Sequence, residues 1–417
     1  MKRILLASLL VLTMIAISVP ALSAKSNLTF MMWGLPSELK VYKQIVSSFE
    51  QENKDITVKV IVVDWDTYWN KLQAQLAGGN PPDVFAMDAP LYPDYYSRGV
   101  LLNLKPYLDR EKGFLDDFFP ITLQAYQKPD GIFGLPRDFQ TIALYYNKDH
   151  FKAAGLKEPD ETWTWETFRQ ACKKLTVDAN KDGKPEKWGA WLDLTDMELI
   201  WSELVWQNGG EIVNKDFTKV MLDQPAAYEA LQFAADLVWK DKVAPNPSRA
   251  TQYGDSFKSG LAAMTTTGHW MVPDYAEIKS FKWGVAPLPK GKIRATSVNC
   301  AGFVIAKASK QQEAAWKFIK HVCGPKGQTE LTKLGFACPV LKSIAYSDVY
   351  LKQAVQINHR VFLDALSYAH VKPSFKGFDE FNTNLNQGLD LIWMHKKTAK
   401  EEMATLVPQL DKLLPKP

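Results

Sequence analysis

The sequence contains few of the features that mark nucleic-acid-binding proteins and common enzymes. Its 417 residues carry a net charge of only +4, and no block of basic residues occurs, so nucleic acid is not an expected partner. The serine-hydrolase, zinc-protease and phosphate-loop motifs are absent, and the six histidines show no metal-ligand spacing. Acidic residues are plentiful, however, so the sequence does not exclude the pair of catalytic carboxylates of a glycosidase.

Cysteine is also scarce. The four cysteines are Cys172, Cys300, Cys323 and Cys338, and none forms a Cys-x-x-Cys pair, which argues against a redox or zinc-binding role. Export would permit disulfides, but three full pairings exist and the sequence does not choose among them. Buried free thiols are the default expectation.

A long uninterrupted apolar run occurs at the amino terminus. Lys2 and Arg3 precede the uncharged segment Ile4 to Val19, and Pro20 and the small residues of 21–24 follow it. This pattern predicts a signal peptide over residues 1–24, cleaved after residue 23 or 24, and it disfavours an uncleaved anchor because the apolar run is short. Since no cysteine lies near the cleavage site, we expect an unlipidated protein that is periplasmic or otherwise exported, and soluble.

The remaining chain is long enough for two core-forming domains and is rich in aromatic residues. Aromatic residues make up 12% of the sequence, including 14 tryptophans. Such rings stack on the apolar face of a sugar while polar groups bond its hydroxyls, although many tryptophans serve only as core. The composition therefore favours, without proving, a carbohydrate ligand.

The first mature segments alternate between strand and helix patterns. The expected order is a strand over Leu28–Trp33, a helix with Ser37 as its N-cap, a strand over Ile56–Val63, a helix over Thr67–Ala77 and a strand over Asp83–Met87. This order predicts an α/β fold with mostly parallel sheets flanked by helices. Ligands of such sheets lie beyond the carboxyl ends of the strands, so Trp33 and Asp88 are candidate contacts.

Several motifs together resemble one family of binding proteins. They are the strand-like segment 134–149, Thr162-Trp163, Ala77-Gly78-Gly79 before Pro82-Asp83-Val84, Asn208-Gly209-Gly210, Gly268-His269-Trp270 and segment 284–289. Along the chain these motifs follow the order found in the extracellular solute-binding proteins of family 1, the maltose-binding-protein-like group, which the sequence therefore resembles. Each motif is weak alone, but together they span nearly the whole mature chain.

The resemblance implies a two-lobed periplasmic binding protein fold with a ligand cleft between the lobes. The implied crossings lie near 137–140, 284–287 and 336–340, the N-terminal lobe comprises 25–137 plus 285–337, and the C-terminal lobe comprises 138–284 plus 338–417. The implied function is that of a substrate-binding protein of an ATP-binding-cassette importer. It would bind a mono- or oligosaccharide reversibly, as a monomer without catalysis or a required cofactor, and deliver it to a membrane permease.

Candidate ligand contacts follow from ring chemistry and from the family positions. Trp270 is the expected stacking platform. Arg137 and Asp138 lie on the first crossing and suit vicinal hydroxyls as donor and acceptor, with a mutual or interlobe ion pair as the alternative. Beside Asp88 and Trp33, further candidates have an equally plausible structural role, and they are Trp65, Tyr68, Trp206, Asn208, Asn299 and Tyr368.

One loop resembles the first part of a calcium-binding loop. Asp178, Asn180, Asp182 and Glu186 occupy the first, third, fifth and ninth positions, with Gly183 at the sixth. The twelfth position holds Gly189 in place of the usual bidentate glutamate. A structural calcium ion is therefore one prediction, and a solvated turn is the alternative.

Two other functions remain compatible with the sequence. The ligand of a transport protein could instead be a polyol, a glycerol-phosphate derivative or a peptide. An anionic ligand needs cationic groups in the cleft, and Arg137 alone gives it thin support. A periplasmic carbohydrate-active enzyme is the alternative from another class.

Overall fold

The computed structural model describes residues 25–182, 185–246, 254–335, 338–355 and 357–416. The expected signal peptide, residues 1–24, lies outside the described residues. Eleven strands are defined in this part of the chain: β1 Ser26–Trp33, β2 Ile56–Val63, β3 Val84–Asp88, β4 Gln127–Lys128, β5 Gly131–Ile132, β6 Leu135–Thr141, β7 Ala143–Asn147, β8 Met264–Thr267, β9 Trp283–Ala286, β10 Thr296–Ile305 and β11 Ala369–Val371.

Helices connect and cover these strands. The α-helices of the described residues are α1 Pro36–Glu52, α2 Trp65–Ala77, α3 Tyr92–Ser97, α4 Lys105–Leu108, α5 Pro120–Gln124, α6 Lys148–Ala153, α7 Trp165–Leu175, α8 Ser202–Gln207, α9 Pro225–Trp239, α10 Val272–Tyr275, α11 Gln312–Cys323, α12 Pro325–Lys333, α13 Lys342–Ala345, α14 Asp348–Leu351, α15 Arg360–Asp364, α16 Phe378–Trp393 and α17 Ala399–Leu410. Shorter helical turns cover Met197–Trp201, His269–Met271, Ala365–Tyr368 and Asp411–Leu413. Within the described part of the chain, we find no helix whose length and apolar character would let it cross a membrane.

The first sheet forms the N-terminal lobe. Strands β1, β2 and β3 are parallel with β1 in the middle, and β10 runs antiparallel along the outer edge of β3. Aliphatic and aromatic residues of β1 and β3 are buried on both faces, as expected for strands covered by helices on either side. This sheet brings the carboxyl ends of β1, β2 and β3 to one common edge.

Strand β10 has partners on both sides. Ala301 pairs with Asp88 of β3 on one side and with Asp138 of β6 on the other. Val298 similarly pairs with Thr141 of β6 and with Val371 of β11. At both positions β6 lies on one side of β10, so β3 and β11 lie on the other side. Strand β11 therefore lies beyond the end of β3 at Asp88, along the same edge of β10.

The second sheet has the order β8-β7-β9, with both pairings antiparallel, and belongs to the C-terminal lobe. Its largest core combines residues of this sheet with helices α7, α8, α9, α16 and α17. The chain passes from the first sheet to the second between β6 and β7, and it returns between β9 and β10. The fold is therefore α/β and two-lobed.

A third set of buried residues lies where the chain passes between the lobes. It includes Phe119, Phe139, Ala143, Val285 and Cys338, which come from the N-cap of α5, from both sheets and from the segment after α12. The third expected crossing includes residues 336 and 337, which lie outside the described residues. The boundaries inferred for each lobe stay a prediction.

Local sequence signals explain most helix starts. Asp64 caps α2 by accepting a hydrogen bond from the Thr67 amide, and Thr164 caps α7 in the same manner. The expected N-cap of α1 was wrong, because this helix begins at Pro36 and its N-cap is Leu35 rather than Ser37. Pro36 favours the first helical position because its missing amide hydrogen is not needed there.

Candidate ligand cleft

Asp88 lies at the carboxyl end of β3 and forms the centre of a polar group. Its side chain is buried, and Oδ1 accepts a hydrogen bond of 2.9 Å from Nδ2 of Asn299 on β10. Burial raises the pKa of Asp88, although the nearby ammonium of Lys372 and the Asn299 amide oppose this shift. Two residues predicted from the sequence are thus in direct contact.

Lys372 is a member of this group that sequence reasoning missed. It directly follows β11, and Nζ lies 2.7 Å from Oε2 of Glu198, with the two side chains 11% and 13% exposed. Burial disfavours the charge on Lys372, but the carboxylates of Glu198, Asp88 and Asp196 outweigh burial and raise its pKa. No local signal marks Lys372, because its partners are distant in the chain.

Asp196 is a second missed residue and belongs to the C-terminal lobe. Its carboxylate accepts a hydrogen bond of 2.9 Å from the Glu198 amide and thereby begins the helical turn Met197–Trp201. Burial, together with the charge of Glu198, raises the pKa of Asp196 to about 6. The polar group therefore joins three carboxyl groups to one ammonium and spans both lobes.

Arg137 and Asp138 are paired with each other. Nε of Arg137 lies 2.9 Å from Oδ2 of Asp138, and both residues are at least 95% buried, with exposures of 5% and 2%. The guanidinium carbon lies 5.3 Å from the ring centroid of Trp33 and 5.7 Å from that of Phe303. The mutual ion pair, which the sequence left as the alternative, is present, and the contact with ligand hydroxyls stays a prediction.

Aromatic residues cluster beyond the ends of β1 and β2. The ring centroids of Trp33 and Trp65 are 5.0 Å apart, and Trp69, which the sequence reasoning missed, lies 5.6 Å from Trp33. Trp65 is 44% exposed, whereas Tyr68 is buried and its hydroxyl donates to the carbonyl of Ala86. Trp33 and Trp65 therefore present ring surface at this edge, and the buried Tyr68 ring packs against Trp33 with the centroids 5.2 Å apart.

Trp270 lies on the opposite lobe in the short turn His269–Met271. Its indole is partly buried against the large core of that lobe. The ring also lies over Gly268, where a Cβ atom would come within 2.0 Å of Trp270 Cζ3. The carbonyl of Gly268 accepts a hydrogen bond of 2.8 Å from the Tyr145 hydroxyl, so the backbone under the indole is fixed.

The other predicted contacts make internal interactions. Trp206 is buried and stacks on His370 with ring centroids 5.0 Å apart. The Asn208 amide donates to the carbonyl of Ala226 at 2.7 Å, and the guanidinium of Arg294 lies 5.9 Å from the ring centroid of Tyr368. These contacts match the structural roles that the sequence kept as alternatives, and their ligand roles stay predictions.

The calcium-like loop shows turn contacts among its described residues. The Asp182 amide donates to Oδ1 of Asn180, and the Ala179 amide donates to Oε2 of Glu186, both at 3.0 Å. Gly183 of this loop lies outside the described residues. In the part of the chain that the structure describes, no group of three or more His, Cys, Asp or Glu side chains is placed to hold a metal ion. Calcium binding by Asp178 and its neighbours stays a prediction.

All four cysteines are buried with free thiols. Cys300 Sγ lies 3.2 Å from the carbonyl oxygen of Asp138, and Cys338 Sγ lies 3.0 Å from the Tyr350 hydroxyl. Burial raises the pKa of all three thiols at positions 300, 323 and 338, which keeps them protonated and unreactive.

Two lobes that face each other across aromatic rings and polar groups define a protein that closes around a small ligand. This chain belongs to the bacterial extracellular solute-binding proteins, because the model of that family matches residues 34–329. It is similar to the ABC substrate-binding protein of Listeria monocytogenes solved in complex with cycloalternan, with 28% identity and a TM-score of 0.85. That likeness covers 93% of this chain and 98% of the Listeria chain.

Two curated relatives differ in the ligand that their names give. The maltodextrin-binding protein of Bacillus subtilis is 28% identical over 300 residues, which cover 68% of this chain and 67% of that protein. The sn-glycerol-3-phosphate-binding periplasmic protein of Rhizobium meliloti is 26% identical over 259 residues, which cover 60% and 59%. The choice between a neutral and an anionic ligand therefore depends on the cleft of this chain.

Proposed function

We propose that this protein binds a carbohydrate reversibly in the cleft between its lobes and delivers it to the permease of an ATP-binding-cassette importer. The names of its relatives and the cycloalternan bound to the Listeria protein support a saccharide ligand. Trp270 on one lobe, and Trp33 and Trp65 on the other, supply ring faces for the apolar side of a sugar.

The excess of carboxyl groups over cations around Lys372 favours a neutral ligand. Asp88, Asp196 and Glu198 place three carboxyl groups around the single ammonium of Lys372. Carboxylates accept hydrogen bonds from hydroxyls but repel phosphate. A neutral compound with many hydroxyls fits this group better than an anion.

The two cationic residues described above, Lys372 and Arg137, already have acidic partners. Lys372 pairs with Glu198 at 2.7 Å, and Arg137 pairs with Asp138 at 2.9 Å. An incoming phosphate would have to compete with a carboxylate for each of these cations. The glycerol-phosphate alternative is therefore the weaker one, in spite of the Rhizobium relative.

Binding rather than catalysis fits the family and the arrangement of acids. A glycosidase uses one protonated and one ionised carboxyl group on opposite sides of a scissile bond. In this cleft the carboxyl groups surround Lys372, and the Asp88 carboxyl also accepts a hydrogen bond from Asn299. We propose that the sugar leaves the protein unaltered.

The connections between the lobes provide a mechanism of capture. The strands β6 and β7 are separated by the single residue Ile142, and residues 287–295 join β9 to β10. A ligand that contacts both lobes stabilises the closed arrangement, and the permease would distinguish it from the open one. We further propose that the exported mature chain is a monomer, as expected from the sequence.

A thermal-shift screen of the purified chain from residue 25 onward tests the proposal. The panel contains neutral mono- and oligosaccharides, polyols, glycerol 3-phosphate and short peptides. A ligand that binds only the folded state raises the melting temperature in proportion to RT ln(1 + [L]/Kd), which is about 2.7 kcal/mol at a hundredfold excess over Kd. We expect a shift with a neutral saccharide. A shift of the melting temperature with glycerol 3-phosphate alone would show that the ligand is anionic and that the proposal of a sugar is wrong.

A further inference from the structure

The candidate contacts of the N-terminal lobe form a row rather than a compact patch. Asn299 lies on β10, Asp88 ends β3, Trp33 ends β1, and Trp65 directly follows Asp64 beyond the end of β2. The sheet order β10-β3-β1-β2 fixes the sequence of these four residues across the cleft floor. Neighbouring strands are about 4.8 Å apart, so the row from Asn299 to Trp65 extends over roughly 14 Å.

The two ends of the row differ in chemistry. At the β10 and β3 end, Asn299 bonds Asp88, and Lys372 lies beyond the end of β3 because β11 continues the line of that strand. At the β1 and β2 end, the surface consists of the rings of Trp33 and Trp65. One end is therefore suited to hydroxyls, and the other is suited to the apolar face of a sugar ring.

Trp65 is unusual among the tryptophans of this protein. It is 44% exposed, whereas the other thirteen are buried or partly buried. The rings of Trp69 and Trp33 pack against its ring, with centroid separations of 5.4 Å for Trp69 and 5.0 Å for Trp33. An indole that is held by its neighbours but left open on one side is suited to stack on a ligand that reaches it.

We infer that the ligand is an oligosaccharide of about three units, with one end among Lys372, Asn299 and Asp88 and the other stacked on Trp65. This inference rests on the proposed function. With one sugar unit for each strand spacing, three units span the three spacings, roughly 14 Å in total, from β10 to β2. A monosaccharide that binds at the polar end could not also contact the exposed indole.

Trp270 does not by itself set the length of the ligand. It belongs to the opposite lobe and covers whichever unit lies beneath it on closure. The length-dependent contact is Trp65, because it is the member of the row farthest from Asn299. Removing the Trp65 ring should therefore affect long ligands and spare short ones.

The test compares ligand length with the identity of residue 65. Binding of glucose, maltose, maltotriose and maltotetraose, and of the arabinose and galactose series of the same lengths, is measured by titration calorimetry. The three proteins are the unmodified chain, Trp65→Ala and Trp65→Phe, the last of which keeps a stacking ring. In the series that binds, we expect the trisaccharide to bind the unmodified chain at least tenfold more tightly than the monosaccharide.

The variants then separate stacking from a general loss of structure. Trp65→Ala should lose most of the affinity that the added sugar units provide, while its affinity for the shortest saccharide that binds should stay within about twofold of that of the unmodified chain. Trp65→Phe should recover most of the lost affinity. Equal affinity for the monosaccharide and the trisaccharide would overturn the inference but leave the proposed function intact. A Trp65→Ala protein that loses affinity equally for all lengths would overturn it as well. If no saccharide of any length bound, the proposed function and the inference would both fail.

Discussion

Nε2 of His269 lies 3.0 Å from Nδ1 of His359, and both imidazoles are buried beside the turn that carries Trp270. The other nitrogen of His359, Nε2, lies 2.9 Å from the carbonyl oxygen of Val355. A carbonyl only accepts, so Nε2 of His359 carries the hydrogen and Nδ1 of a neutral ring accepts from His269. The pair thus has one defined arrangement of protons when both rings are neutral.

Acidification should destabilise the protein through this pair. Burial lowers the pKa of both histidines, and for His269 the proximity of His359 adds to the effect. The unfolded rings take up protons below about pH 6.5 while the folded rings do not, so the contribution of these two rings to the free energy of unfolding falls as pH drops below that value. Each ring contributes up to about 1.4 kcal/mol per pH unit. His359→Gln, which keeps an acceptor for His269, should reduce this slope.

Urea titrations at pH 7.0, 6.0, 5.5 and 5.0 measure this effect. The quantity compared is the difference in free energy of unfolding between His359→Gln and the unmodified chain at each pH, because this difference cancels the contributions of the other titrating groups, such as Glu203. The same dependence of stability on pH in His359→Gln as in the unmodified chain would show that the buried pair contributes nothing to it.

Glu203 should give the opposite pH dependence. This residue of α8 is fully buried, and Oε1 accepts hydrogen bonds from the Ser297 hydroxyl at 2.7 Å and from the Ser297 amide at 3.2 Å. Burial raises its pKa to about 8, although these hydrogen bonds oppose the shift. The folded state therefore holds a proton that the unfolded state releases above about pH 4.5, and stability declines as pH rises from about 4.5 to about 8.

Glu203→Gln removes this titration and keeps the acceptor for Ser297. We expect the variant to exceed the unmodified chain in free energy of unfolding at pH 8 by at least about 1 kcal/mol, since one pKa unit corresponds to 1.4 kcal/mol. Denaturant unfolding at pH 5 and pH 8 gives the comparison. A variant that is less stable than the unmodified chain at pH 8 would mean that the carboxylate is needed there.

Lys372 should be required for stability because it neutralises the acidic group. Lys372→Met leaves Glu198, Asp196 and Asp88 without their cation, and breaking a buried pair typically costs about 3–5 kcal/mol. The double variant Lys372→Met with Glu198→Gln should recover much of this loss. Lys352→Met is the matched control, because its ion pair with Asp348 is exposed and worth about 0–1 kcal/mol. Urea unfolding at pH 7 measures the free energy of unfolding of each variant. Equal losses of this free energy in Lys372→Met and Lys352→Met would contradict this account.

Gly268→Ala should impair binding without removing the indole of Trp270. The backbone of Gly268 has φ −89°, which any residue adopts, but the added Cβ would lie 2.0 Å from Trp270 Cζ3 and would displace the ring. We expect at least a tenfold loss of affinity for the saccharide selected by the screen, similar to the loss in Trp270→Ala. Calorimetry of the double variant provides the check. Additive losses would show that Gly268 acts by a route other than the indole.

The sequence allowed the fold to be predicted where the signals are local. The apolar runs of β1 and β2, and the apolar face of α1 with Tyr42, Ile45 and Phe49, were expected and are present. The family resemblance supplied the two-lobed arrangement, which no local pattern contains. The start of α1 was misplaced by one or two residues because Pro36 competes with Ser37 for the beginning of the helix.

The cleft was predicted less completely because its contacts join distant parts of the chain. Asp88 and Trp33 were found from their positions at strand ends, and Trp270 was found from the family motif. Lys372 and Glu198 are separated by more than 170 residues, and they meet because β11 and the turn Met197–Trp201 both contact β10. Glu203 resembles an ordinary helical glutamate in the sequence, and its burial against Ser297 appears only in the folded chain.

Calorimetric titration of the purified mature chain with the neutral oligosaccharide that shifts its melting temperature most tests the central claim directly. Mass analysis of the sugar recovered afterwards completes the measurement. The account predicts binding at one site per chain, at least tenfold weaker binding in Trp270→Ala, and a sugar recovered unaltered. Binding of glycerol 3-phosphate but of no neutral saccharide, or recovery of a cleaved sugar, would contradict it.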